Sequence, residues 1–184
     1  VDPATLSRVE READRMEALV SQLLTLSRAE AGEANMQTHA LSLVLNDVLT
    51  DANFEVANKN KQLKIDDIPK KTVVIDSMMF CRAVENVLRN AIRHSKLVTH
   101  IAFSEDAQYW CIHITDDGDG LTIEECERIF SPFYRATLAR ERESGGVGLG
   151  LSIAKAAVEL HHGRIIAEPS ERGGLRVTMS FPKL

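Results

Sequence analysis

Apolar residues recur along this chain with two different periods. Leu6, Val9, Ala13, Met16, Val20 and Leu23 return at spacings of three and four, which draws them into one stripe on an α-helix. Asp2-Pro3 supplies a cap and a first-turn residue and Gly32 a stop, so one helix of about seven turns is predicted as far as Gly32. Leu19, Leu24 and Leu26 widen the stripe beyond a two-stranded seam. Spacing leaves both a dimer helix and an intramolecular helix open. The polar stretch Gly32 to Thr38 reads as a linker, and Leu45, Val48, Leu49 and Ala52 share one face of a second helix over Leu41 to Asn60. Short runs at Leu63 to Ile65 and Val73 to Ile75 predict strands, as do Thr99 to Phe103, Trp110 to Thr115, Arg164 to Ala167 and Leu175 to Phe181. Ser104 to Gln108 reads as a hairpin turn, while Glu168-Pro169 and Gly173-Gly174 join the last two strands.

Between the second and third strand signals lies a two-faced helix, capped by Asp76 or Ser77 and starting near Met78. Val84, Val87, Leu88 and Ala91 form its apolar side; Asn86, Asn90, Arg93 and His94 crowd the other. Surface helices mostly carry Lys and Glu, so two carboxamides one turn apart, followed by a guanidinium and an imidazole, need another account. Amide oxygens ligate a hard cation without adding charge, and the basic pair can meet phosphate oxygens.

Composition narrows the chemistry. A chain of 184 residues with 44% hydrophobic and 27% charged residues suits one globular core with a small appendage. No apolar run approaches the roughly 18 residues of a membrane span. Val1-Asp2-Pro3 in place of an initiator Met predicts a piece cut from a longer protein. A net charge of −5 argues against a general nucleic-acid surface, so any phosphate binding must be local. Cys81, Cys111 and Cys126 form no C-x-x-C pair and read as reduced thiols at core positions.

Glycine-bearing segments carry the rest. Asp116-Asp117-Gly118-Asp119-Gly120 follows a strand directly; a carboxylate backed by two glycines suits a planar ligand that offers an amino group, such as adenine. A calcium loop is the weaker alternative, since Gly118 is out of register for it. Ile129-Phe130-Ser131-Pro132-Phe133-Tyr134-Arg135 reads by itself as a hydrophobic plug under a loop. Ser144-Gly145-Gly146-Val147-Gly148-Leu149-Gly150-Leu151 then opens a helix over Ser152 to Leu160, a phosphate cradle of backbone N–H groups and helix dipole. It is neither a Walker loop, which requires a Lys after the last Gly, nor the dinucleotide fingerprint, whose third small position is Ile153 here. With few apolar residues after Phe133, Ser131 to Gly146 is expected to gain order when nucleotide binds.

In this order, Asn-x-x-x-Asn-Ala, Asp-x-Gly-x-Gly, Phe-x-Pro-Phe and Gly-Gly-x-Gly-Leu-Gly-Leu resemble the catalytic, ATP-binding portion of sensor histidine kinases, in the superfamily shared with gyrase B, the Hsp90 chaperones and the MutL repair proteins. Residues 33 to 184 carry the resemblance, and Ala139 to Leu151 looks most like the envelope-stress kinases of Gram-negative bacteria. Residues 1 to 32 are similar to the second helix of the family's dimerisation domain. The resemblance implies that Asn90 carries Mg²⁺ with Asn86 beside it, that Arg93 and His94 meet phosphates, and that Asp116 accepts the adenine amino group. Gly118 and Gly120 would shape the base pocket, the turn Gly146-Val147-Gly148-Leu149-Gly150 would face the triphosphate, and Arg140 and Arg142 would lie in a lid. It also implies ATP and Mg²⁺ as cofactors, a response regulator as partner, a homodimer in the parent protein, and a cytoplasmic domain whose parent sits in the bacterial inner membrane through upstream segments. The expected fold is α/β: a two-layer sandwich of a mixed, largely antiparallel sheet covered by helices on one face, with the dimerisation-type helix at its N-terminus. Two departures are local: His94 stands where Tyr is common, and His161-His162-Gly163 replaces His-Gly-Gly. A third is larger. The family's phosphoacceptor His is followed by an acidic residue and a Pro, and none of the six His here has that setting.

Overall fold

The computed structural model describes residues 2–135, 148–171 and 173–183. Its elements are α1 (Pro3–Glu30), β1 (Gln37–Ala40), α2 (Leu41–Asn58), β2 (Gln62–Ile65), β3 (Thr72–Ile75), α3 (Ser77–His94), β4 (Val98–Glu105), β5 (Tyr109–Asp116), α4 (Ile123–Arg128), α5 (Gly150–Leu160), β6 (Arg164–Pro169) and β7 (Leu175–Pro182). The main sheet runs β2-β4-β5-β7-β6, with β2 parallel to β4 and the other neighbours antiparallel. β1 and β3 form a separate antiparallel pair.

Alternation decides which face of the sheet is covered. Along β5, Trp110, Ile112, Ile114 and Asp116 are buried while Tyr109, Cys111, His113 and Thr115 are only half-buried. On β7 the buried set includes Leu175, Val177, Met179 and Phe181. Helix α3 lies over this face with α2 and α5 beside it, so the expected arrangement of helices over one face of a largely antiparallel sheet is what the chain adopts. Trp110 stacks on Phe181 at 4.6 Å and Phe80 tilts against Phe181 at 5.3 Å. Fully burying side chains of this size contributes roughly 1.5–3 kcal/mol each, and Phe80 and Phe181 are among the largest in the core.

Asp76 fixes the start of α3. Its Oδ1 accepts from the Met79 amide at 3.0 Å as an N-cap, and its Oδ2 accepts from the Asn35 amide at 2.9 Å. Its own N–H donates to His161 Nε2 at 3.0 Å, and His161 Nδ1 lies 2.6 Å from the Ala157 carbonyl. The carbonyl requires a proton on Nδ1 and the amide requires none on Nε2, so the tautomer is settled. The buried imidazole therefore ties the end of α5 to the start of α3.

Several boundaries differ from the sequence expectation. Gln37–Ala40 pairs with β3 although the stretch to Thr38 was expected to be a linker; a polar four-residue strand has no alternation to reveal it. Helix α4 was not expected, yet Thr122 and Glu125 form a complete capping box at its start. The hairpin turn is shorter than expected because β4 continues to Glu105 and Asp106 Oδ1 accepts from both Gln108 and Tyr109 amides at 2.7 Å. Helix α2 stops two residues early, at Asn58, with Asn60 in a left-handed conformation at φ 53°. All three cysteines are free thiols, Cys126 buried and the others half-buried.

The intramolecular reading of the first helix holds at its C-terminal end. Near its C-terminus Leu26 is buried with Leu149 and Ile153, and Leu19 and Ala156 pack against them. Further back, Leu6, Val9, Met16, Val20, Leu23 and Leu24 remain exposed. No helix among the described residues is long and apolar enough to cross a membrane.

Candidate nucleotide site

Helix α3 brings its amides to the glycine turn. Asn86 Nδ2 donates to the Arg82 carbonyl at 2.8 Å, which commits the nitrogen end of the amide and leaves Oδ1 as the acceptor. That oxygen would stand 3.0 Å from a Cβ at Gly150, so the first residue of α5 lies directly against the Asn86 amide. Asn90, one turn on, is half-buried and makes no side-chain hydrogen bond among the described residues. Arg93 is exposed and His94 half-buried at the end of the helix.

Helix α5 begins at Gly150 with Leu149 as N-cap, and no side chain caps it. Its first-turn N–H groups are therefore available to an anion at the positive end of the dipole. Gly148 is left-handed at φ +84°, and a Cβ there would meet the backbone of Phe133 at 3.0 Å. Phe133, itself at φ 63°, donates its N–H to the Gly148 carbonyl at 2.9 Å. Here the expected hydrophobic plug needs correcting. Phe130 is buried but Phe133 is 61% exposed, because the backbone contact with Gly148, rather than burial of the ring, fixes this residue. Arg140, Arg142, Gly146 and Val147, with most of Ser131 to Gly146, lie outside the described residues.

The carboxylate lies toward the other end of α3, near the His94 carbonyl. Asp116 is 4% exposed; its Oδ1 accepts from the Gly118 amide at 2.8 Å and the Leu175 amide at 3.4 Å, while Oδ2 has no hydrogen-bond partner among the described residues. Burial pushes its carboxyl above the ordinary range. Gly118 has no room for a side chain, since a Cβ would fall 2.4 Å from the His94 carbonyl oxygen and 2.8 Å from Asp116 Oδ1. Gly120 is left-handed at φ +74° and lies against Gly173 and Gly174.

Two residues join this site that the sequence reading gave to other elements, Gly174 to a turn and Leu175 to a strand. A Cβ on Gly174 would fall 1.9 Å from the Asp116 carbonyl oxygen, and the Leu175 amide engages the carboxylate. The structure thus places Asn86 beside Gly150, and the His94 carbonyl beside Gly118, along one helix. Amide oxygens, a helix N-terminus and a carboxylate with a spare oxygen are the groups that hold a hard cation, phosphates and an amino-bearing base. The donor set fits Mg²⁺: Asn86 Oδ1 faces the turn where phosphates would lie and adds no charge.

The comparisons agree with this chemistry. Residues 75–184 match the family described as histidine kinase-, DNA gyrase B-, and HSP90-like ATPase. The chain is 37% identical over 179 residues to the sensor histidine kinase CpxA of Escherichia coli, covering 96% of this chain and 39% of that protein. It is 34% identical over 188 residues to the sensor protein kinase WalK of Staphylococcus aureus, covering 98% of this chain and 30% of the relative. It therefore spans about two fifths or less of the length of these relatives. Among solved structures, a mycobacterial sensor histidine kinase, MprB, superposes with a TM-score of 0.71 at 25% identity, over 79% of this chain and 97% of that one. The Acinetobacter baumannii histidine kinase AdeS shares the fold with a TM-score of 0.77 at 21% identity, over 99% and 85% of the two chains. On the family match and the site that it encloses, the chain belongs to the histidine kinase-, DNA gyrase B- and HSP90-like ATPases, on their sensor histidine kinase branch.

Proposed function

We propose that this chain is the part of a two-component sensor kinase that binds Mg²⁺-ATP and donates the γ-phosphoryl group to a histidine outside it, for relay to a response regulator. The observation that carries the reading is one helix, α3, with Asn86 against the glycine turn and the His94 carbonyl against Gly118, the residue whose amide binds Asp116. Asp116 Oδ2 accepts from the adenine amino group, with Gly118 and Gly120 admitting the base. Asn90 and Asn86 hold the metal, and Arg93, His94 and the amides from Gly148 to Gly150 face phosphates, with Arg140, Arg142, Gly146 and Val147 completing the enclosure. Mg²⁺, when bound, offsets charge on the phosphate oxygens. In the transfer, the acceptor imidazole nitrogen forms the bond to phosphorus as the bond to the ADP oxygen breaks. A neutral imidazole is already a nucleophile, so the protein supplies position and electrostatics and no base.

Residues 1–32 belong, in this reading, to the second helix of a dimerisation domain, and the exposed stripe of α1 meets other helices of the parent homodimer. Upstream segments place the parent in the bacterial inner membrane with this part in the cytoplasm. Residues 33–184 form the catalytic domain.

A hydrolytic role is disfavoured by a specific contact. Superfamily members that hydrolyse ATP place a Glu one turn before the metal Asn, and that position is Asn86. The adjacent Glu85 points roughly 140° from Asn90 on the helix wheel and pairs with Arg82 at 3.3 Å. Calorimetric titration of ATP with and without Mg²⁺ tests the binding assignment. Asn90→Ala abolishes Mg²⁺-dependent binding if the site is as assigned; unchanged affinity in that variant contradicts it.

A further inference from the structure

Helix α3 ends without the glycine that commonly turns a chain out of a helix. Ser95, its C-cap, has φ −59° and ψ 146°, so the chain leaves directly into an extended connection to β4. The carbonyls of the last turn then need partners from elsewhere. They find Lys61, which lies between α2 and β2. Its ammonium donates to the Ile92 and Ser95 carbonyls, each at 2.6 Å, and reaches that of Arg93 at 3.4 Å. A cation at this end also meets the negative pole of the helix dipole.

The other polar side of the same connection is gripped by the opposite charge. Asp117 Oδ1 accepts from the amides of Lys96 at 2.8 Å and Leu97 at 3.1 Å, and Oδ2 accepts from Val98 at 3.1 Å. Burial pushes the Asp117 carboxyl up, yet the amides of Leu97, Val98 and Lys96 outweigh it and hold it below its ordinary value. Both grips are anchored. The Lys61 amide donates to the Val56 carbonyl and Gln62 to that of Leu97, while Asp117 directly follows Asp116 on the chain.

What lies between the grips is the wall of the base pocket. The His94 carbonyl is the atom that a Cβ on Gly118 would strike, and Gly118 in turn donates to Asp116. A shift of the connection therefore moves Gly118 and the carboxylate relative to the base.

We infer that Lys61 and Asp117 are positioning residues for the nucleotide base, an ammonium and a carboxylate that clamp the connection from Ile92 to Val98 and so set the spacing of the His94 carbonyl, Gly118 and Asp116. The inference rests on the assignment of Asp116 to the base. Neither side chain touches the nucleotide in this scheme, because the ammonium is spent on carbonyls and the carboxylate on amides.

The test compares affinities for MgATP and for Mg-tripolyphosphate, which lacks the base, alongside the thermal midpoint of each variant. Lys61→Met keeps the stem and removes the charge; Asp117→Asn keeps the shape. Each is expected to weaken MgATP binding by about tenfold, the scale of one lost charge-assisted hydrogen bond, and to leave tripolyphosphate affinity unchanged. Lys61→Arg, which restores a cation, is expected to recover most of the loss. A Lys61→Met protein that melts earlier but keeps the parent's ratio of the two affinities would show a plain helix cap and overturn the inference. Should Lys61→Met fail to fold, Asp117→Asn decides from the other side of the connection by the same ratio. Asp116→Asn serves as the reference: if it too keeps the parental ratio, the base assignment itself fails and the inference falls with it. A lost ratio in Asp116→Asn beside parental ratios in both clamp variants overturns the inference alone.

Discussion

Replacing Gly118 with Ala is a one-carbon change with a calculable effect. The added Cβ would lie 2.4 Å from the His94 carbonyl oxygen, where ordinary contact begins near 3.4 Å, so the two backbones must part by about 1 Å. The atom in the way is backbone at the end of α3, and no flexible side chain can yield in its place. Overpacking of this kind costs roughly 1–3 kcal/mol. In a chain of this length each kcal/mol shifts the melting temperature by about 2–4 °C. The functional loss should be larger than the stability loss, because a displacement of about 1 Å at a positioned site costs on the order of 10²-fold. Calorimetric titration with MgATP and a thermal melt on one preparation read both. Gly32→Ala is the control: its Cβ meets nothing within 4 Å and only its φ of +72° is strained, so it should lose stability and keep nucleotide affinity. If Gly118→Ala binds MgATP within twofold of the parent, the base does not sit against Gly118 and the pocket is misassigned.

Two further substitutions read buried oxygens. Burial raises the Asp116 carboxyl in the folded state, so the native protein holds that proton at pH values where the unfolded chain has released it. Stability from this group therefore falls as pH rises through the window between its unfolded and its raised folded value. Asp116→Asn should be the more stable protein at neutral pH and lose its advantage as pH drops below that window, while binding ATP poorly; a constant difference in melting temperature from pH 3 to 8 would contradict this. Thr99 is fully buried and its Oγ1 has no hydrogen-bond partner among the described residues. Thr99→Val should therefore stabilise by about 1 kcal/mol, and a lower denaturant midpoint for the variant would show that the hydroxyl is in use.

The legible parts of this chain were those where one physical signal dominates. The apolar repeat of α3 and the alternation of β5 placed both elements within a residue or two, since each buries one face. The strand Gln37–Ala40 was hidden because its partner β3, and no pattern of its own, makes it a strand. Helix α4 was missed because six residues are too short for periodicity to show, and its capping box of Thr122 and Glu125 was its one signal. In the site, the sequence singled out the residues with distinctive chemistry but neither Gly174 nor the amide of Leu175. A glycine that clears space for a carboxylate some sixty residues away (|i−j| is 59 for Leu175 and Asp116) has no local signature. The role of Lys61 was hidden for the same reason, its carbonyl partners being 31 to 34 residues away.

The proposed function requires transfer of a phosphoryl group to a histidine outside this chain. Incubation with γ-labelled ATP, alone and with a separate helix fragment bearing a sensor-kinase His followed by an acidic residue and Pro, tests it most directly. The expected result is no label on this chain by itself, very slow hydrolysis, and acid-labile label on the added fragment. Acid-stable label on this chain alone, or rapid turnover of ATP with no label on either partner, would contradict it.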